Sequence, residues 1–257
     1  VIKTFVTTEL QSAIAGKFGV NVVNTLTGFK YIGQKLAQYE RSLPPEILSN
    51  YRALGVADAR HAQLSSGTFF VFGGEESYGY LACDFTRDKD GNGAVVLFAE
   101  TAAYAKSLGK SIPDLLDDIY QEFGYYIEKN VSRVFEGAEG AAEISRLAAS
   151  YVLEPPVECD GSPVRKITNF RTGDITDSEG DKIPKEQMLF IELEDSRRFA
   201  VRPSGTEPKI KFYLFGHTEA EEITPENLPS VKANASSRID SLWTWLQGDI
   251  NNRLGLT

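Results

Sequence analysis

The arrangement of apolar residues changes part of the way along the chain, and this change constrains the fold more than any other feature. Strands and helices alternate at first, with strands indicated at residues 1–6 and 20–26 and helices beginning near Thr8 and Gly28. Several strands then follow in succession, at residues 164–170, 188–193, 199–201 and 209–215. Alternation is typical of an α/β sheet, whereas a run of strands with helices indicates an antiparallel α+β domain. The sequence therefore predicts an α/β protein, with a mixed α/β sheet domain followed by a smaller α+β domain.

The predicted boundary between these domains lies near Gly137. A connecting helix at residues 138–152 is followed by Pro155-Pro156, and a proline pair interrupts regular structure. We therefore assign residues 1–137 to the α/β domain and residues 138–257 to the α+β domain.

Bulk composition excludes several classes of function. The 257 residues carry a net charge of −9, whereas a broad nucleic-acid surface is normally basic. No apolar run is long enough to span a membrane, and the chain begins with Val1 instead of a methionine. Cys83 and Cys159 are far apart and match no metal or redox spacing, which favours a reducing, cytoplasmic setting. The two histidines, His61 and His217, do not support a zinc site.

The segment from Arg202 to Lys211, RPSGTEPKIK, is the most informative part of the chain. Arg202 offers a planar guanidinium that can bind two phosphate oxygens, and Ser204 and Thr206 offer hydroxyl donors. Gly205 allows a close approach of the backbone, so that successive N–H groups can surround an anion. These features favour an anion site, with Lys211 beside it on the following strand. An ordinary turn with solvated lysines is the alternative, since proline, serine and glycine also form turns.

A second glycine-rich segment, GGEESYG at residues 73–79, follows an apolar strand predicted at residues 68–72. Glu75 can accept hydrogen bonds from neighbouring hydroxyls of a polyol, and Ser77 adds another polar contact. The pattern favours a sugar-binding loop, with an acidic surface turn as the alternative.

Four strings occur in order along the chain: TGFKYIG at residues 27–33, GEESYG at residues 74–79, RDKDG at residues 87–91 and RPSGTEPKIKFYL at residues 202–214. In these strings the chain resembles the third and fourth domains of the α-D-phosphohexomutases, the phosphoglucomutase/phosphomannomutase family. The resemblance implies a TBP-like fold for the second domain.

The same resemblance implies roles for individual residues. Glu75 and Ser77 would grip the hydroxyls of the sugar ring, with Gly28 and Lys30 as further sugar contacts. Lys89 would be the catalytic candidate of this chain, a cation near the reacting groups that takes part in proton transfer. The phosphate that is not transferred would be held by Arg202, Ser204, Gly205, Thr206 and Lys211.

The resemblance further implies that the whole protein is an isomerase, which interconverts hexose 1-phosphate and hexose 6-phosphate through a phosphoserine enzyme and a bisphosphate intermediate. Glucose is the first expected sugar and mannose the second. The family's serine loop and its Asp-x-Asp-x-Asp magnesium loop are absent from this sequence. Mg²⁺ and hexose 1,6-bisphosphate are therefore expected in the complete enzyme, its missing N-terminal domains are the expected partners, and no metal ligand is assigned in this chain.

Two other functions fit the same strings. A non-catalytic sugar-phosphate-binding or regulatory protein would use the same loops, and an unrelated structural domain could carry them by chance. The upstream reading frame would identify an enzyme, since catalysis requires the serine and magnesium loops. The fragment alone is expected to be inactive.

Overall fold

The computed structural model describes residues 1–137, 139–205 and 207–256, which form two compact units. The first unit comprises Val1–Thr7, Gln11–Leu115 and Thr176–Asp181. The second unit comprises Thr8–Leu10, Leu116–Ile175 and Lys182–Thr257. Ala138, at the predicted start of the second domain, and Thr206, in the predicted phosphate loop, lie outside the described residues. The domain boundary near residue 137 stays a prediction.

The first unit is built on a mixed four-stranded sheet. Its strands are β1 (Ile2–Thr4), β2 (Val23–Thr25), β3 (Gly73–Gly74) and β4 (Tyr80–Leu81). Their spatial order is β2-β1-β3-β4, with β1 parallel to β2 and β3, and β4 antiparallel to β3. This arrangement confirms the predicted mixed α/β sheet. Because β2 and β3 both run parallel to β1, the segments that follow them leave the sheet at the same edge.

Helices lie between these strands and after them along the chain, up to the start of the second unit. They are α1 (Leu10–Lys17), α2 (Phe29–Arg41), α3 (Pro45–Leu48), α4 (Val56–Ser66), α5 (Gly91–Ser107) and α6 (Ile112–Phe123), with a 3-10 turn at Tyr51–Ala53. Phe29, Ile32 and Leu36 recur at helical spacing on one face of α2 and are buried with Ile2 and Val23. This packing fixes the start of α2 beside the sheet.

The strand predicted at residues 68–72 is wrong in position, because the paired residues are Gly73–Gly74. A β-carbon on Gly73 would lie 2.9 Å from Ile32 Cγ2 and 2.9 Å from the ring of Phe70. Glycine is therefore needed where β3 passes these two side chains, although glycine is depleted in strands generally. The shift places Glu75 immediately after the end of β3.

The second unit contains an antiparallel six-stranded sheet. Its strands are β5 (Tyr125–Val134), β6 (Glu158–Cys159), β7 (Ser162–Asn169), β8 (Leu189–Leu193), β9 (Arg198–Pro203) and β10 (Lys209–Thr218). The spatial order is β5-β10-β9-β8-β7-β6, and each neighbouring pair is antiparallel. Together with its helices α7 (Gly140–Leu153) and α8 (Leu228–Leu254), this sheet confirms the predicted α+β architecture.

One face of β10 anchors this second sheet in the core. Ile210, Phe212 and Leu214 alternate along the strand, are fully buried, and pack in one cluster with Leu242 and Leu246 of α8. Burial of each such side chain contributes about 1.5–3 kcal/mol relative to exposure. This packing fixes the position of β10 against α8.

Over the part of the chain that the structure describes, no helix is both long and apolar enough to cross a membrane.

Candidate functional site

Glu75 is at the centre of the candidate sugar site in the first unit. Its side chain is only 6% exposed, and its two carboxylate oxygens have different partners. The backbone N–H of Gly28 donates to Oε1 at 2.6 Å, and Lys89 Nζ lies 2.8 Å from Oε2. Three of the predicted site residues therefore meet at one carboxylate, although Gly28 and Glu75 are 47 residues apart in the sequence.

The parallel strands explain why Gly28 and Glu75 are close. Glu75 directly follows β3, and residues 26–28 join β2 to α2, so both segments leave the sheet at one edge. Gly28 adopts φ 123° and ψ 119°, a conformation that glycine reaches without strain from a β-carbon. Glycine at this position therefore allows the backbone N–H to point at the Glu75 carboxylate.

Lys89 comes from the loop between β4 and α5. Its ammonium also donates to Ser77 O at 3.2 Å and lies 5.7 Å from the ring centroid of Tyr78. Tyr78 is 92% exposed and has φ 62°, which is unusual for a bulky residue. Among the described residues, Glu75 and Ser77 take two of the three N–H donors of Lys89. The third donor and the remaining lone pairs of Glu75 are suited to binding a polyol.

Two other predicted sugar contacts are placed differently. Ser77 is exposed and meets Lys89 through its carbonyl oxygen, not its hydroxyl. Lys30 is also exposed, and its Nζ lies 4.8 Å from the ring centroid of Tyr31. The contact of Lys30 with sugar stays a prediction.

The loop that carries Lys89 is held by Arg87, which the motif pattern does not single out. Arg87 Nη1 donates to Asp84 O at 2.5 Å, and Nη2 pairs with the carboxylate of Glu40 on α2. The Arg87 backbone also packs against Gly33, where a β-carbon would lie 2.5 Å from the Arg87 carbonyl oxygen. No local signal joins Arg87 to Glu40, because 47 residues separate them.

The second unit holds the candidate phosphate site at the turn between β9 and β10. Arg202 is 17% exposed in its side chain, and its Nη2 lies 3.7 Å from Glu186 Oε2. Its Nε is buried and has no hydrogen-bond partner among the described residues. Lys211 lies directly opposite Arg202 on β10, so two cations occupy neighbouring positions. A phosphate would supply the acceptor that the buried N–H lacks.

Ser204 and Gly205 are at the tip of this turn. Ser204 N donates to Lys209 O at 2.9 Å, and Glu207 N donates to Ser204 Oγ at 3.3 Å. A β-carbon on Gly205 would meet no atom within 4 Å, so the backbone is open to a ligand there. Lys209 pairs with Glu207 at 2.8 Å, and its hydrogen bond holds the pKa of that carboxyl below its ordinary value.

A cluster of three carboxylates in the first unit could in principle hold a metal ion. Asp177, Glu179 and Asp181 place oxygens within 4.8 Å of one another, a donor set of the kind that divalent cations bind. The ammonium of Lys35 contacts all three, at 2.5, 2.9 and 2.6 Å respectively. The Lys35 ammonium therefore occupies the point where a cation would bind, and the cluster does not fit a magnesium site while Lys35 is present.

Comparison with known proteins gives the class of the molecule. The family model described as "Phosphoglucomutase/phosphomannomutase, alpha/beta/alpha domain III" matches residues 1–123, and that described as "Phosphoglucomutase/phosphomannomutase, C-terminal domain" matches residues 132–224. The two domain models match in this order along the chain and together cover most of its length. The chain belongs to the phosphoglucomutase/phosphomannomutase family.

Individual relatives agree with the family match. A phosphoglucomutase of Staphylococcus epidermidis is 38% identical over 188 residues, which cover 71% of this chain and 34% of the relative. A phosphoglucomutase of Staphylococcus aureus is 32% identical over 219 residues, which cover 83% of this chain and 35% of the relative. The chain thus spans about a third of the length of these curated relatives.

A solved structure shares the fold. The crystal structure of pp63/parafusin, a phosphoglucomutase from Paramecium in its open form, aligns with a TM-score of 0.57 at 19% identity. The alignment covers 99% of this chain and 38% of that chain. At this identity the similarity concerns the fold alone.

Proposed function

We propose that this chain is the sugar- and phosphate-binding part of a phosphohexomutase that interconverts hexose 1-phosphate and hexose 6-phosphate. Glucose is the sugar we expect first and mannose the second. The proposed reaction runs through a phosphoserine enzyme and a hexose 1,6-bisphosphate intermediate. Phosphoryl transfer depends mainly on positioning and on stabilisation of charge, and positioning is what the residues of this chain can contribute.

The observation that carries the proposal is the meeting of Gly28 and Lys89 at Glu75. A carboxylate fixed by an N–H group on one oxygen and an ammonium on the other has little freedom to move. Its remaining lone pairs can then accept hydrogen bonds from sugar hydroxyls in a defined direction. Lys89, held at the same point, is the cation that we assign to proton transfer or charge stabilisation near the reacting groups.

The turn at Arg202 is proposed to hold the phosphate that is not being transferred. Its guanidinium can bind two phosphate oxygens, and Lys211 adds a positive charge on the neighbouring strand. The backbone at Ser204 and Gly205 can supply N–H donors at close range. Because either phosphate of a bisphosphate can be the one that is not transferred, the site must accept both orientations of the sugar.

The complete enzyme needs groups that this chain does not supply. Magnesium, when bound, stabilises the charge of the phosphoryl group in transfer. Its ligands and the phosphorylated serine are expected in the N-terminal domains of the same polypeptide.

Cys83 and Cys159 are free thiols, and burial raises the pKa of Cys159 to about 12. Free thiols of this kind fit the proposed cytoplasmic location.

The test separates recognition of hydroxyls from recognition of phosphate. Arg202→Ala should weaken binding of both glucose 1-phosphate and inorganic phosphate by about 1.5–3 kcal/mol, the size of a hydrogen bond to a charged group. Glu75→Gln should weaken binding of glucose 1-phosphate and leave that of inorganic phosphate nearly unchanged. Titration calorimetry measures both ligands on each variant.

Matched controls are the exposed residues Arg171 and Glu46, changed to Ala and Gln respectively. Equal losses for both ligands in Glu75→Gln would contradict its assignment to the sugar. Unchanged phosphate affinity in a folded Arg202→Ala protein would remove the phosphate site.

A further inference from the structure

Glu40 is a buried carboxylate behind the loop that carries Lys89. It lies in the last turn of α2 and is 7% exposed. Arg52 binds it with two hydrogen bonds, Nε to Oε1 at 2.7 Å and Nη2 to Oε2 at 2.9 Å. Arg87 also donates to Oε2. The hydrogen bonds from Arg52 in the first place, and those from Arg87, hold the pKa of Glu40 below its ordinary value despite burial.

The two arginines that bind Glu40 differ in their exposure to solvent and in their other hydrogen-bond partners. Arg52 is 75% exposed in its side chain, so solvent can replace much of its interaction with Glu40. Arg87 is 28% exposed, and the guanidinium that binds Glu40 also binds the carbonyl oxygen of Asp84 in its own loop. Glu40 therefore fixes Arg87, and Arg87 in turn fixes the backbone of its loop.

A second anchor holds the start of this loop at Asp84, so the part that depends on Arg87 is the end near Lys89. Asp84 accepts hydrogen bonds from Tyr51 at 2.5 Å and from Gln63 at 2.9 Å. Lys89 is two residues beyond Arg87, and its ammonium meets Glu75 at 2.8 Å. Without the charge of Glu40, the Arg87 guanidinium would be half-buried beside a second arginine and would have to move towards solvent. The loop would then move at Arg87, two residues before Lys89.

We propose that Glu40 is a positioning residue, which acts through Arg87 to hold the ammonium of Lys89 against Glu75. The inference rests on the proposed function for its consequence in sugar binding. Its geometric content, that Glu40 controls the position of Lys89, is independent of the ligand and can be measured without one.

The geometric test is the reactivity of Lys89 towards acetic anhydride, followed residue by residue with mass spectrometry. In Glu40→Gln, release of Lys89 from its ion pair should raise its rate of acetylation roughly two- to fivefold, relative to the exposed Lys182 in the same molecule. Arg87→Met should give the same increase. Glu40→Asp, which keeps the charge, should restore most of the wild-type rate, and Glu46→Gln should have no effect.

A purely structural role for Glu40 predicts a lower melting temperature with an unchanged Lys89 rate, and that result would overturn the proposal. If Glu40→Gln does not fold, an unchanged rate in folded Arg87→Met overturns it equally. The second part of the test measures ligand binding. Glu40→Gln should weaken the binding of glucose 1-phosphate and leave the binding of inorganic phosphate unchanged. Failure of the wild-type chain to bind glucose 1-phosphate would count against the proposed function, while the acetylation rates would still decide the role of Glu40.

Discussion

His217 is partly buried near the end of β10, and its Nε2 atom is shielded from solvent. Its ring stacks on that of Tyr126 with centroids 4.2 Å apart. Its Nε2 faces Gly124, where a β-carbon would lie 2.8 Å away, and has no hydrogen-bond partner among the described residues. Burial lowers the pKa of His217, and Arg198 acts in the same direction, while the carboxylates of Glu219 and Glu222 oppose both. The neutral ring is therefore the form that the native packing favours.

This environment predicts a loss of stability in mild acid. The pKa of His217 is lower in the folded chain than its ordinary value of 6.5, so the unfolded chain binds more protons below that pH. Stability should fall as pH drops through about 6.5 and stop falling below the folded-state pKa. His217→Phe keeps the stacking and should flatten this part of the profile. Urea unfolding between about pH 7.5 and about pH 5 measures the slope.

The exposed His61 provides the control for this measurement. His61→Gln should keep the wild-type slope. If His217→Phe retains the full acid sensitivity, the titrating group is a different one.

At the scale of elements, Lys35 joins α2 to the segment 176–181. Its side chain is 8% exposed, and that of Asp177 is 1% exposed, so this part of the cluster is shielded from solvent. Burial alone would lower the pKa of Lys35, but the hydrogen bonds to Asp177, Asp181 and Glu179 raise it above its ordinary value. The ammonium therefore stays charged, and the segment is held to α2 by charge.

Removing that charge should do two things at once. Lys35→Met leaves three carboxylates together without a cation and should cost about 3 kcal/mol, as the breaking of a buried pair does. The vacated oxygens then resemble a calcium site, so millimolar Ca²⁺ should raise the melting temperature of Lys35→Met and leave that of the wild type unchanged. Differential scanning calorimetry with and without Ca²⁺ measures both effects.

Lys30→Met, the same change at an exposed position of α2, is the control. An equal response of wild type and Lys35→Met to Ca²⁺ would contradict the role given to the ammonium.

Elements could be predicted from local patterns, whereas the contacts of the site could not. Alternation of apolar residues along β10 correctly placed Phe212 in the core, because periodicity is a property of neighbouring residues. β3 was misplaced, since the reason for Gly73 is contact with side chains far away in the sequence. Lys35 and Asp181 are separated by 146 residues, and no local rule pairs them. The family strings identified Glu75 and Lys89 but did not identify Glu40, which binds Arg87 in the loop that carries Lys89.

At the scale of the whole molecule, this chain should fold by itself and fail to catalyse. Each unit has its own buried core, and neither depends on a disulfide. The sequence has no Ser-His-Asn string and no Asp-x-Asp-x-Asp string, so the proposed phosphoryl donor and magnesium ligands are not supplied here. Far-ultraviolet circular dichroism should show cooperative melting. Assays with glucose 1-phosphate, its bisphosphate and Mg²⁺ should show no mutase turnover.

The same assay on the complete polypeptide gives the reference rate. Turnover by this chain at a comparable rate would mean that the catalytic group has been misplaced.

The segment 176–181 also sets an order of events during synthesis. A ribosome releases residues 116–175, which belong to the second unit, before it releases the last carboxylates of the first. Domains usually fold as they emerge, the N-terminal one first, but here the carboxylates of Asp177 and Asp181 that pair with Lys35 emerge only after residues 116–175. Until then, the Lys35 ammonium of the nascent first unit lacks its Asp177 and Asp181 partners. A fragment that ends between residues 123 and 176 would contain Lys35 without the carboxylates of Asp177, Glu179 and Asp181.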